Sequence, residues 1–164
     1  MREHREPAKH QSTVGHHYLM FAVNMVLSVI VMYFVMFSMI DGWSDFRNNL
    51  NTFYMALTMV APMGLIMLAT MGEMYQNKGL NLALYIGFAV LFVAALACTR
   101  TQAVIGDRQF IASMIPHHSG AILMCREASL ADQELMELCR NISQGQRQEI
   151  DQMNAIRTRL EQRQ

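Results

Sequence analysis

Three long runs without charged side chains dominate the first hundred residues of the chain. They cover residues 18–40, 52–71 and 82–98, and Leu80 can lengthen the third run at its start. A helix of about 20 apolar residues is long enough to cross a bilayer. The first run is also too long for the core of a signal peptide. The pattern therefore predicts three membrane-spanning helices.

The polar segments around these runs indicate how the chain is oriented. Three spans place the two termini on opposite sides of a membrane. The N-terminal tail carries three basic and two acidic residues, whereas the loop after the first span carries one basic and two acidic residues. Because basic segments tend to stay on the cytoplasmic side, we expect a cytoplasmic N terminus and an external C-terminal domain. Arg100 and Arg108, which follow the third span, favour the reverse orientation.

The last sixty residues are polar and have helical periodicity. Apolar residues recur at spacings of three and four over residues 107–128 and 134–160. The stripe of the second segment comprises Leu135, Cys139, Ile142, Gln146, Glu149 or Ile150, Met153, Ile156 and Leu160. Asp107 and Asp132 are suited to cap the starts of the two helices. The pattern predicts a soluble antiparallel helical hairpin.

These patterns together predict an all-α protein with four consecutive segments. A polar basic tail (1–17) precedes a three-span transmembrane domain (18–98), a linker (99–106) and a helical hairpin domain (107–164). We expect residues 1–11 to be disordered, and His4, His10, His16 and His17 to be solvated or interface residues, with loose metal capture as the alternative. The formal net charge is zero, which argues against a nucleic-acid partner. Three cysteines do not make a disulfide framework.

Residues 114–125 concentrate side chains that bind soft or borderline metals. The stretch contains two adjacent histidines, two methionines and a cysteine, which are Met114, His117, His118, Met124 and Cys125. At about 100° per residue, the two histidines lie on either side of the line that joins Met114 and Cys125. The spacing indicates a candidate metal-binding face.

Antiparallel folding about the predicted turn brings unusual residues of the two helices together. In the simplest register His118 faces Gln146, while Met114 faces Glu149 and Ile150. A metal site would explain this juxtaposition. A hydrogen bond from Gln146 to a buried histidine would also explain it.

The same register places Cys125 opposite Cys139, and we expect both to remain thiols. Packed helix axes are typically about 8–10 Å apart, whereas a disulfide joins Cα atoms about 4.4–6.8 Å apart. Two facing thiols could contribute to a soft metal site or simply pack.

Three motifs together resemble a known family. They are Asp107-x-x-Phe110, Met114-Ile115-Pro116-His117-His118-x-x-Ala121-Ile122-x-Met124 and Gln146-x-x-Glu149-Ile150-x-x-Met153. Over about residues 106–160 the chain resembles the bacterial ferritin-like family known as domain of unknown function 305. Its members are helical, rich in Met and His and often exported, and some are linked to copper. The resemblance implies a bacterial inner-membrane protein whose hairpin is half of a ferritin-like four-helix bundle. It also implies His117, His118, Met114, Met124 and Met153 as metal ligands.

The expected function is that of a membrane-anchored copper-binding protein, acting in sequestration, delivery or tolerance. Thioethers and thiols select Cu(I), so Cys125 and Cys139 are further candidate ligands. Gln146, Glu149 and Asp107 are expected to support the site from a second layer of contacts. No residue is assigned a catalytic role.

Two other classes of function are weighed against this one. The alternative is a structural or regulatory membrane protein whose hairpin is only an oligomerisation module. A di-iron carboxylate enzyme is disfavoured because the hairpin lacks the Glu-x-x-His pairs of such bundles. A Cys–His enzyme is disfavoured because His118 and Cys125 lie about 10 Å apart along the helix axis.

The small size of the hairpin predicts that it has a partner. A two-helix domain of about 55 residues is marginal on its own, so we expect a homo-oligomer, most simply a dimer formed through the hairpins.

The second span carries methionines at every fourth position, which are Met55, Met59, Met63, Met67 and Met71. They either fill irregular helix contacts or pass Cu(I) along the membrane.

Overall fold

The computed structural model describes residues 8–162, and every regular element in this range is helical. The five long helices are α1 (Ala8–Val35), α2 (Leu50–Thr70), α3 (Lys78–Thr101), α4 (Asp107–Glu127) and α5 (Gln133–Glu161). Two short 3-10 turns, Met36–Met39 and Trp43–Asp45, lie in the loop between α1 and α2. The predicted all-helical fold is confirmed for this part of the chain.

Three segments are long and apolar enough to cross a membrane, namely Gly15–Met39, Leu50–Thr70 and Lys78–Thr101. They coincide with the three uncharged runs in the sequence. Side chains such as Val26, Ile66 and Val93 are about 60% exposed. Outward apolar side chains of this kind suit a helix whose solvent is lipid, because the bilayer core is itself apolar.

The helix α1 begins earlier than the sequence suggested. Residues 8–11, expected to be disordered, are helical. Residues 1–7 of the expected disordered tail lie outside the described residues, as does His4.

The described residues form two compact units that are interleaved along the sequence. The membrane unit comprises residues 8–33 and 54–101, and the C-terminal unit comprises residues 34–53 and 102–162. The loop after the first span therefore belongs to the same unit as α4 and α5.

The membrane unit has its buried core around Phe21, Met25, Val60, Leu68 and Tyr75. Phe21 and Tyr75 meet edge to face with ring centroids 5.5 Å apart. Methionine side chains of α1 and α2 pack around this core together with the aromatic rings of α3. Flexible thioethers suit such irregular contacts.

A close approach occurs in this unit where α2 meets α3. A Cβ added at Gly64 would lie 2.8 Å from the ring of Phe88, whereas a Cβ added at Gly87 would meet nothing within 4 Å. Gly64→Ala is therefore expected to destabilise the unit by about 1–3 kcal/mol through overpacking. Gly87→Ala is the matched control, and alanine's higher helix propensity makes it neutral or stabilising. Thermal unfolding in detergent checks the pair, and equal melting temperatures for the two variants would contradict the predicted close contact.

In the C-terminal unit, α4 and α5 pack on each other through a core of isoleucines. Ile111, Ile115, Ile122 and Ile150 are buried, and Met153, Ile156 and Leu160 of α5 pack against them. Contacts between the helices occur in reverse sequence order. Cys125 bonds to Cys139, His118 lies against Glu149, and Arg108 donates to the carbonyl of Leu160.

The buried stripe of α4 does not follow the line that joins Met114 and Cys125. Ile111, Ile115 and Ile122 face inward, whereas Phe110 is 52% exposed. The reason is that α4 is covered both by α5 and by the two 3-10 turns between α1 and α2. The most buried residues of α4 therefore lie between the surface that packs on α5 and the surface that packs on the segment between α1 and α2.

The two predicted helix caps have different outcomes. Asp132 is the N-cap of α5, and its carboxylate accepts a hydrogen bond of 2.8 Å from the Leu135 amide. That prediction is confirmed. Asp107 does not cap α4, because Gly106 occupies the cap position without a side-chain bond. Asp107 lies in the first turn instead, where a negative charge still favours the helix dipole.

Candidate functional site

The candidate site on the C-terminal unit is centred on His118 and Glu149. The Nδ1 atom of His118 lies 2.9 Å from Oε2 of Glu149, and the side chains are 13% and 56% exposed. This distance is that of an ion pair, but Nδ1 makes no hydrogen bond of acceptable geometry within the part of the chain that is described. A mostly buried imidazole on α4 therefore lies beside an exposed carboxylate on α5.

Two methionines lie one helical turn from this pair. Met114 precedes His118 by four residues on α4, and Met153 follows Glu149 by four residues on α5. Side chains four residues apart share a helix face, so the contact between His118 and Glu149 sets Met114 and Met153 at matching positions. Both methionines are partly buried. An imidazole and two thioethers therefore occupy adjacent turns.

The expected partner of His118 is displaced along α5. The simplest register paired His118 with Gln146, three residues before Glu149. The structure places Glu149 against His118 instead. The register drifts with distance from the turn because packed helices meet along ridges that are inclined to their axes. Gln146 is partly buried on the adjacent turn.

Other candidate ligands do not converge on this place. His117 is exposed, and its ring centroid lies 6.1 Å from that of His118. Met124 is 61% exposed. Successive residues on a helix point about 100° apart, which accounts for the divergence of the two histidines.

The expectation that Cys125 and Cys139 remain thiols is wrong. The structure joins them in a disulfide with a Cα–Cα separation of 5.3 Å, inside the usual range. The chain reverses between Glu127 and Gln133, so the two helices are closest together near that turn. While the disulfide is present, neither sulfur can act as a thiolate ligand.

Residues 8–162 contain no group of three or more His, Cys, Asp or Glu side chains that could hold a metal ion. A metal site on the face around His118 would therefore need the thioethers of Met114 or Met153. Methionine sulfur is a ligand for Cu(I) and not for hard cations.

A buried polar network, not anticipated from the sequence, holds the loop after the first span against α4. Ser119 is fully buried and Asp45 is 4% exposed. The Ser119 hydroxyl donates to Oδ2 of Asp45 at 2.7 Å and accepts from the Asp41 amide at 2.7 Å. Both hydrogen-bonding functions of this hydroxyl are thus satisfied.

Two arginines complete this network. Arg147 of α5 donates to Asp41 at 2.8 Å and lies 3.4 Å from Asp45. Arg126 of α4 also pairs with Asp41, and its own pKa is raised by a hydrogen bond to Glu127 and by the charge of Asp41. The loop therefore bridges α4 and α5 through charges.

A third arginine makes hydrogen bonds within the loop itself. Arg47 donates to the carbonyls of Ser44 and Phe46 at 2.6 and 2.7 Å. Burial lowers the pKa of Arg47, and the charge of Arg157 lowers it further, while Asp45 acts in the opposite direction. Arginine stays protonated at any physiological pH, so these donors persist.

The sequence carries a weak signal for this docking. Ser119, Gly120 and Ala121 form a run of small residues on α4. A Cβ added at Gly120 would lie 3.2 Å from the carbonyl oxygen of Met39. Small side chains permit such close backbone approach. The signal does not reveal which segment approaches.

Fold and site together define an all-helical protein with three candidate membrane spans and a disulfide-linked helix pair. Residues 93–157 match a family described as Domain of unknown function (DUF305). An uncharacterized protein of Acanthamoeba polyphaga mimivirus is 33% identical over 141 residues, covering 81% of this chain and 91% of the viral protein. No solved structure matches the chain. The chain belongs to the DUF305 family, as its motifs indicated.

Proposed function

We propose that this protein is a membrane-anchored copper-binding protein that holds Cu(I) on the face formed by α4 and α5. His118, Met114 and Met153 are the proposed ligands. The role is sequestration, delivery or tolerance of copper, without a catalytic step. Met124 is too exposed to belong to this set.

The observation that carries the proposal is the placement of His118 beside Glu149. In metal sites the ring nitrogen that does not bind the metal is commonly oriented by a carboxylate. Glu149 lies within 2.9 Å of Nδ1 of His118, at ion-pair distance but without the geometry of a hydrogen bond, and Nε2 remains for a ligand. Met114 supplies a thioether one turn away on the same helix.

The donor set favours Cu(I) over other metals. Thioether sulfur selects Cu(I), and imidazole also binds it. Structural Zn(II) sites use thiolate, imidazole and carboxylate ligands, and the two cysteines nearest this face are joined in a disulfide. Removal of Met114 and Met153 should therefore weaken copper binding more than zinc binding.

The disulfide also supports the proposed orientation. Disulfides persist in oxidising compartments and are rare in the cytosol. A Cys125–Cys139 bond suits a C-terminal unit outside the cytoplasm, with the N terminus inside. In a bacterium this would place the protein in the inner membrane with α4 and α5 facing the periplasm.

A competition titration against a chromogenic Cu(I) chelator tests the ligand set. Met114→Leu/Met153→Leu preserves side-chain volume and removes both thioethers. We expect it to weaken Cu(I) binding by about tenfold or more, the scale of effects seen even for outer residues of metal sites. Met124→Leu is the matched control and should bind as the unmodified protein does. Equal affinity for the control and the double variant would remove these methionines from the site.

A second candidate function rests on a different observation. Apolar side chains on α4 and α5 remain exposed, including Phe110, Met124, Leu135 and Leu138. They suit an oligomerisation module, in which two helix pairs form a ferritin-like four-helix bundle. The two functions are compatible, since such a dimer would place two His118 sites in one assembly. Mass measurement in detergent distinguishes a metal-binding monomer from a dimer.

A further inference from the structure

A cavity of about 570 Å³ lies in the membrane unit, at the end that carries the start of α1. Three segments contribute to it, namely the start of α1, the end of α2 and the turn that follows α2. The imidazoles and thioethers on its wall belong to His16, His17, Met20, Met67, Met71 and Met74. Such a concentration of borderline and soft donors is what a Cu(I) site requires.

His17 is already oriented for metal binding. Its Nδ1 atom lies 3.3 Å from the carbonyl oxygen of Met74. A carbonyl oxygen can only accept, so Nδ1 must carry the proton in this contact, and in the neutral ring Nε2 is then unprotonated. Metal-binding histidines commonly donate their other ring N–H to a backbone carbonyl in this way.

The methionines of the cavity wall differ in exposure. Met20 is 52% exposed and Met74 is 40% exposed, so both side chains are accessible from outside the core. Met67 and Met71 pack at the edge of the core, and the Asn24 amide approaches the Met67 sulfur at 4.0 Å.

The other described residues that line the cavity provide no ligands suited to hard cations. Phe21 and Tyr75 are each 3% exposed and close the apolar side of the cavity. The described residues that line it include neither a carboxylate nor a thiol. Magnesium, calcium and manganese prefer carboxylate and carbonyl ligands, so the chemistry of the wall matches a soft monovalent ion.

The geometry points to a second Cu(I)-binding site in this cavity, with Met71, Met74 and Nε2 of His17 as its principal ligands. The site shares no residue with the face around His118. It therefore stands whether or not the C-terminal unit binds copper.

The test uses the full chain in detergent with Cu(I) as the probe, all in a His118→Ala background that removes the other proposed site. Met71→Leu/Met74→Leu, in the turn after α2, is compared with Met55→Leu/Met59→Leu, whose methionines lie in α2 outside the cavity wall. We expect the His118→Ala protein to retain one Cu(I) per chain in chelator competition. The Met71/Met74 variant should bind that ion at least tenfold more weakly, and the Met55/Met59 control should bind it unchanged.

Equal binding by the two double variants would overturn the site. A second measurement guards against altered folding of the variants. Ag(I), a redox-inert mimic, should slow peroxide oxidation of Met71 and Met74 in the unmodified protein, because a bound sulfur lone pair is shielded from the oxidant. Met55 and Met59 should oxidise at the same rate with and without Ag(I). Equal protection of both pairs would contradict the proposed ligands.

Discussion

Replacing Asp45 by alanine is expected to destabilise the C-terminal unit by about 3 kcal/mol. Asp45 is 4% exposed and accepts the hydroxyl hydrogen of Ser119 at 2.7 Å. Hydrogen bonds to charged groups are worth about 1.5–3 kcal/mol, and an unsatisfied buried partner adds a further cost. The variant leaves the Ser119 hydroxyl without its acceptor and removes one partner of Arg147. Thermal or chemical unfolding in detergent measures the loss.

Two controls make this prediction specific to the network. Asp151→Ala removes an exposed carboxylate from α5 and should change stability by less than about 0.5 kcal/mol. In a Ser119→Ala background, Asp45→Ala should cost less than it does alone, because the shared hydrogen bond is already gone. Additive costs for Asp45 and Ser119 would show that the bond between them does not stabilise the unit.

Removal of the disulfide is the second change with a large expected effect. Cys125 and Cys139 are 14 residues apart in the sequence, and a crosslink closing a loop of this size stabilises by about 3 kcal/mol in the chain-entropy description. Cys125→Ser/Cys139→Ser should therefore lower the denaturant midpoint of the C-terminal unit by a corresponding amount. Treatment of the unmodified protein with a reductant should produce the same shift.

The third cysteine provides the control for this experiment. Cys98 is a free cysteine in α3, so Cys98→Ser should leave the effect of a reductant unchanged. If the reductant does not move the unfolding midpoint of the unmodified protein, the disulfide does not contribute to stability under those conditions.

The three long apolar helices could be predicted from the sequence because their signal is local. Each uncharged run is long enough to span a bilayer by itself, and no tertiary contact is needed to recognise it. The start of α5 was recognisable for the same reason, since Asp132 lies three residues before the amide that it caps. The isoleucine-rich contact between α4 and α5 was only partly predictable, because Phe110 and Ile111 start two adjacent apolar stripes.

The polar network could not be predicted because its partners are distant in the sequence. Asp45 and Ser119 are separated by 74 residues, and neither residue type indicates burial when taken alone. The disulfide was missed for a related reason, since helix packing distances are averages and the two helices converge next to their turn. The cavity around His17 depends on three segments whose juxtaposition no periodicity reveals.

Metal analysis of the purified protein tests most directly whether the face around His118 binds copper. After loading with Cu(I) and removal of weakly bound metal, the unmodified protein should contain one more copper ion per chain than His117→Ala/His118→Ala does. Loading at lower pH should reduce this difference, because protons compete with the metal for imidazole. The same copper content in both proteins would contradict the proposed copper site.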